Sequence, residues 1–181
     1  MLNVVRQVVV RRKVDPQRLG WIDDRRAAQH GMPANQLYVD LRGFRLIDLD
    51  AVLEEESAGY RRLEEAGYDE RAIEEIDRRQ ATQSVVRIVD FGVAAAVVAL
   101  SALGCVPITS CRGNSLGSKR HEHPAPMITF YARRIHLPAI LEAVTAADLY
   151  ITNNEAKLEV YADDLRKMHL FAQALRKHIK E

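Results

Sequence analysis

The stretch FGVAAAVVALSALGCVPITSCRG, residues 91–113, decides the fold reading of this chain. Phe91 to Leu103 is apolar on nearly every face and mostly Ala and Val. It falls short of the ~20 residues that span a bilayer, so it predicts a buried central helix. Gly104 ends that helix, and Cys105 to Ser110 reads as a strand. Upstream, Val86, Val89, Val93, Val97 and Leu100 fall on one helical face, widened by Val85, Ile88, Ala94 and Val98. The helix is therefore expected to begin near Gln83. Asp90 sits inside the pattern, as a buried acid needing a partner or as the cap of a shorter helix from Phe91. Asp90-Phe91-Gly92 spells a kinase motif, but no glycine-rich or catalytic loop accompanies it.

Downstream, Met127 to Ala132 predicts a second strand. Pro138 suits the first turn of a helix to Ala147. Leu149–Thr152 and Lys157–Tyr161 predict a hairpin around Asn153-Asn154. Asp163 or Asp164 caps a last helix whose Leu165, Met168, Ala172, Leu175 and Ile179 share a face. The result is an α+β fold, helices on a mixed or antiparallel sheet, with a second half in the order α-β-β-α-β-β-α. No internal repeat is visible in the sequence.

The first 82 residues differ in character. Val4 to Val10 predicts a strand. Leu37–Leu41 and Phe44–Asp48 flank Arg42-Gly43 as a tight hairpin. Asp50 caps a helix to Ala66, with Gly67 as its stop, and Asp69 caps another to about Gln80. Runs such as Glu54-Glu55-Glu56 and Arg61-Arg62 read as solvated faces with mixed-sign pairs. The chain is thus divided into residues 1–82, a strand, hairpin and charged helices, and residues 83–181, an α+β core carrying the candidate site.

The totals narrow the function classes. The 181 residues carry 26 Lys and Arg against 25 Asp and Glu, a net charge of +1, which gives no global pull toward nucleic acid or anionic membrane. Two cysteines make no disulfide framework. Met1 to Arg6 lacks a secretory signal pattern, so a cytoplasmic protein without membrane attachment is expected.

Locally the balance changes. Between Phe91 and Leu141 the basic residues are Arg112, Lys119, Arg120, Arg133 and Arg134, and the only acid is Glu122. With Thr109, Ser110 and Gly113 they form a candidate anion cradle at the end of the Cys105–Ser110 strand. Arg112 is read as an exposed charge that contributes little to folding. Cys111, beside Arg112 and near His121 and His123, is the candidate nucleophile if its pKa is lowered; the alternative is a packing cysteine. No metal site is expected. An extended Cys105–Cys111 would hold the two residues ~20 Å apart, beyond a shared ion. A Cys111, His121 and His123 zinc set is the weaker alternative. Strand parity places Val106, Ile108 and Ser110 on one face, with the apolar pair toward the core. Thr109 and Cys111 then face the other way and line one surface with Thr129 and Tyr131.

At Ser110-Cys111-Arg112-Gly113 the chain resembles the wybutosine-synthesising tRNA methyltransferase family, which also runs from an apolar helix into a strand ending in a Ser-Cys-x-Gly element. The resemblance covers about Val85 to Thr152. An Arg usually follows the glycine in that family, where this chain has Asn114. The S-adenosylmethionine-binding parts have no counterpart. The resemblance implies a ligand- or RNA-facing surface at Ser110, Cys111 and Gly113, without implying methyl transfer.

Together these residues give an expectation of an anionic ligand, a nucleotide or RNA, bound around Thr109–Gly113, with catalysis and cofactor open. The alternative is a protein–protein interaction component that works through its charged N-terminal helices.

Overall fold

The computed structural model describes residues 13–22, 41–84, 86–116 and 123–180. Helices α1 (Leu46–Glu65) and α2 (Glu70–Gln83) precede α3 (Ala94–Ala102). The chain continues through β1 (Val106–Cys111), β2 (Met127–Tyr131), α4 (Leu137–Ala146), β3 (Tyr150–Asn154), β4 (Lys157–Tyr161) and α5 (Leu165–Arg176). The fold is α+β, and its second half has the expected order. The four strands form an antiparallel sheet in the order β1-β2-β4-β3. No helix among the described residues is long and apolar enough to cross a membrane.

Helix α3 is the centre of the core, with every residue from Ala94 to Ser101 buried. It is shorter than the hydrophobic pattern implies, because residues 86–93 form turns. Gly92 takes φ +89°, and a Cβ there would lie 2.6 Å from the Leu165 side chain, so the chain bends where only glycine fits. Asp90 is no helix cap; its carboxylate accepts the Arg112 N–H at 3.2 Å. The cap comes from α1. Glu56, 1% exposed, accepts the N–H groups of Gly92 (3.2 Å) and Ala95 (3.0 Å), among the donors that the first turn of α3 leaves open.

The start of α1 differs from the expectation. Gly43 takes φ +118° between Arg42 and Phe44, but helix begins at Leu46, so 44–48 is no strand. Asp48, not Asp50, closes the first turn by accepting the Arg45 N–H at 2.7 Å. Asp50 instead pairs with Arg176 on α5. One face of α1, including Leu49, Val52, Tyr60 and Leu63, packs into the same core as residues 83–181. Helix α2 carries the solvated mixed-sign face, with Glu75 paired to Arg78 and Arg79 and only Ile76 buried. Asp69 caps α2 through the Ala72 N–H (2.7 Å), and Asp164 caps α5 through the Arg166 N–H (2.9 Å). The β3–β4 turn is Glu155-Ala156, two residues beyond the expected Asn153-Asn154 pair, which belongs to β3. The strand expected over Val4–Val10 lies outside the described residues.

Ile128, Phe130, Ile151, Leu158 and Val160 face the helices and complete the core. Strand β1 carries a bulge between Pro107 and Thr109, so Val106 pairs with Tyr131 while Thr109 pairs with Thr129. The bulge corrects the parity reading: Val106 joins the Thr109 side of the sheet. Val106 and Ile108 leave the main core and pack with Ile22, against Trp21 and Tyr131. Residues 13–22 are held beside β3 and its turn. The Asp15 N–H donates to Asn153 Oδ1 (2.7 Å) and the Gly20 N–H to the Ala156 carbonyl (2.9 Å).

Candidate functional site

The face of the sheet away from the helices carries the polar residues. Its middle row runs Thr109, Thr129, Glu159, Thr152 across all four strands. The next row runs Cys111, Met127, Tyr161, Tyr150. Thr109, Cys111, Thr129 and Tyr131 therefore share one face. At its centre Glu159, 8% exposed, accepts hydrogen bonds from Thr129 Oγ1 (2.6 Å), Asn154 Nδ2 (2.9 Å) and the Tyr161 hydroxyl. Three donors meet the hydrogen-bonding capacity of this buried carboxyl group. Sequence reasoning missed Glu159, Asn154 and Tyr161. The available signal was Glu159 alternating between Leu158 and Val160 in a strand otherwise read as apolar.

The Cys111 end of this face is built differently from the expectation. Arg112 is 2% exposed, and its guanidinium makes a two-pronged ion pair with Asp77 of α2, Nη2 to Oδ2 at 2.7 Å. Its charge is already met inside the protein, which corrects the reading of Arg112 as an exposed charge free for a ligand. Gly113 takes φ +63°, and a Cβ there would lie 2.6 Å from the Ala125 carbonyl carbon, so this glycine lets the two ends of the long connection close. Ser115 Oγ donates to the Arg112 carbonyl at 3.0 Å. Cys111 Sγ accepts the Gly113 N–H at 3.2 Å, yet burial pushes its thiol above the ordinary range, with Asp90 adding to the rise. The lowered pKa that a nucleophile needs is absent. Cys105 is fully buried, and burial pushes its thiol up to about 12. Ser110 sits opposite Ile128, on the helix side. Lys119, Arg120 and His121 lie outside the described residues, and His123 is exposed.

Arg133 and Arg134 lie at the opposite end of the hairpin, just past Tyr131. Four residue steps of β2, ~13 Å, separate them from the Cys111 end, so they do not join Arg112 in one cradle. Both are exposed, and neither has a carboxylate partner among the described residues. The Arg133 guanidinium lies 4.5 Å over the Trp21 ring, and Lys157 Nζ lies 5.8 Å from the centre of the Tyr131 ring. His136 follows in a short turn, Arg134–His136. Burial, and then the Arg133 charge, hold its imidazole below the usual range.

A second cluster also escaped the sequence reading. His169 Nδ1 lies 3.0 Å from Glu56 Oε2, and its Nε2 lies 3.3 Å from Ser57 Oγ and 3.1 Å from Gln173 Nε2. A carboxylate can only accept, so Nδ1 carries the proton and Nε2 accepts from Ser57 and Gln173. The order hydroxyl, imidazole, carboxylate is that of a nucleophilic relay. Its setting is structural. Ser57 lies mid-helix, where backbone N–H groups are committed to the helix and offer no oxyanion donors. Glu56 caps α3 with its other oxygen. At 100° per residue, Ser57 also points to the flank of α1 opposite the one lining the cavity beside α2.

No family model, curated protein or solved structure matches this chain. Among the described residues, exposed large apolar side chains, the feature a protein-docking surface would need, are spread over several elements: Ile47 on α1, Ile88 before α3, Ile135 before α4, Leu141 on α4 and Leu170 on α5.

Proposed function

We propose that this protein binds a phosphate-bearing ligand, single-stranded RNA or a nucleotide, at the sheet end where Trp21, Tyr131, Arg133 and Arg134 lie, and that it does so in the cytoplasm; Lys157 beside them is already paired with Glu155 at 3.1 Å. The observation that carries the reading is the Arg133 guanidinium 4.5 Å over the Trp21 ring, next in sequence to Arg134, which has no carboxylate partner among the described residues. Exposed cations interleaved with aromatic rings are what phosphates and unstacked bases recognise together. The resemblance at Ser110–Gly113 points to the same class of ligand, though Arg112 is committed to Asp77. The reading therefore moves the anion site from the Cys111 end of the hairpin to its other end. Two free thiols, Cys105 and Cys111, fit a reducing compartment.

The test is fluorescence anisotropy with a single-stranded RNA oligonucleotide across a salt series. Each phosphate contact to a single strand contributes about −0.7 to the slope of log affinity against log salt, so Arg133→Ala with Arg134→Ala should flatten it by about 1.4. Trp21→Ala should weaken binding by about 1–3 kcal/mol per stacked base with little change in slope. His136 supplies a second readout. A bound phosphate offsets the Arg133 charge, so the depressed His136 pKa should rise when RNA is added, as followed by proton NMR. Unchanged affinity and slope in the double arginine variant would refute the proposal.

A further inference from the structure

Between α1 and α2 lies a cavity of about 300 Å³, the lower end of the range for small-molecule sites. Its floor is Ala58, Gly59, Ile76 and Phe91, and its rim includes Glu55, Arg62 and Gln83. The floor is shaped by a close approach: a Cβ at Gly59 would lie 2.4 Å from the Phe91 ring, so the ring rests on bare helix backbone. The rim charges are not equal in standing. Glu54 faces Arg61 at 3.7 Å, and Arg79 is held by Glu75 at 2.6 Å. Glu55 and Arg62 have no charged partner among the described residues. They are two helical turns apart, ~10.5 Å along α1. The cavity thus offers an apolar, aromatic floor with a guanidinium at one end and a carboxylate at the other, neither paired with a charge among the described residues.

We infer that this cavity is a binding site for a small aromatic monocarboxylate. The flat body would lie on the floor formed by Ala58, Ile76 and the edge of Phe91, and the carboxylate would take the two-pronged hydrogen bond that Arg62 offers. Glu54 and Glu55 disfavour a polyanion here, which separates this site from the Arg133–Arg134 surface. The inference is independent of the proposed RNA binding.

Phenylacetate is the probe, followed by amide NMR on the full chain. A fragment of this size should bind with millimolar affinity, giving saturable shifts at the Gly59 and Phe91 amides. Phenylacetamide, of the same shape without the charge, should bind about tenfold more weakly. Arg62→Gln, at an exposed position, should weaken phenylacetate about tenfold and leave phenylacetamide unchanged. Ala58→Leu should fill the cavity and abolish both. Absence of saturable shifts at Gly59 and Phe91 would overturn the assignment. So would an Arg62→Gln variant that binds phenylacetate as well as the natural chain does.

Discussion

The β1–β2 hairpin and the β3–β4 hairpin are the same structural unit built twice. Each is followed by a helix on the same face of the sheet, α4 in one case and α5 in the other. The register shows the relation: an offset of thirty residues exchanges the central pairs Ile128↔Val160 and Phe130↔Leu158. The same offset carries α4, Leu137–Ala146, onto residues 167–176 of α5. The halves differ at the hairpin tip. In the second, Glu155-Ala156 suffices. In the first, residues 112–126 fill that place, and Cys111 occupies the position that Asn154 holds in the other half. The second half shows that a two-residue turn meets the needs of the sheet. The longer connection is therefore an addition with its own anchors: Arg112 on Asp77, Gly113 against Ala125, and Ser115 on the Arg112 carbonyl.

If those anchors support the addition, removing them should cost far more than changes at the compact tip. The largest effect is expected for Arg112→Ala. Breaking a buried ion pair from one side costs about 3–5 kcal/mol, and the low end applies because Asp77 is partly solvated. Urea unfolding measures it; a loss under 1 kcal/mol would mean that the Asp77 pair is not an anchor. Its counterpart in the compact half, Asn154→Ala, removes one of three donors to Glu159 and should cost about 1–2 kcal/mol.

A smaller contrast lies in the backbone. Gly113→Ala adds a Cβ against Ala125 at positive φ and should cost at least 1–3 kcal/mol, the scale of a strained backbone position. At the other tip Glu155 already holds φ +54° with a side chain, so Glu155→Gly relieves strain while loosening the unfolded chain. A net change within about 1 kcal/mol is expected there. Paired thermal melts decide, and equal losses at both tips would dissolve the distinction.

The smallest effect concerns thiol chemistry. The folded state holds Cys111 protonated above its ordinary pKa, so the stability this supplies is complete below the unfolded pKa and fades as pH rises through the folded value. Alkylation by iodoacetamide in the native state should therefore be slow at pH 8 and accelerate only above the ordinary thiol range. Cys105 should remain unlabelled until unfolding. Rapid labelling of Cys111 near pH 7 would restore the nucleophile reading.

The expectations that held rest on local chemistry. Asp69, Asp164, Gly67 and Pro138 mark helix ends within a few residues of their own position, and the apolar run to Leu103 is buried because of its composition alone. What escaped depends on partners far along the chain. Glu56 looks like its neighbours Glu54 and Glu55, yet it alone turns inward, to a histidine 113 residues away. Arg112 looks like a free loop cation until α2 brings Asp77 to it. The β1 bulge leaves no mark in an alternating pattern, and one inserted residue was enough to reverse the side assigned to Val106. The repeat was hidden because its strands are five or six residues long and its two tips differ in length. Only Tyr131 and Tyr161 are identical among the paired positions of β2 and β4.

The cap that Glu56 places on α3 ties folding order to architecture. A nine-residue helix is too short to persist alone in water, and this one has no side-chain cap of its own at Val93. Its first turn is completed only when α1 arrives with a carboxylate from 39 residues upstream of Ala95. The loop-closure entropy of that encounter must be met before α3 gains the contact, so α3 and α1 should form in one cooperative step. The central helix of the core would then form together with α1, not ahead of it as a seed.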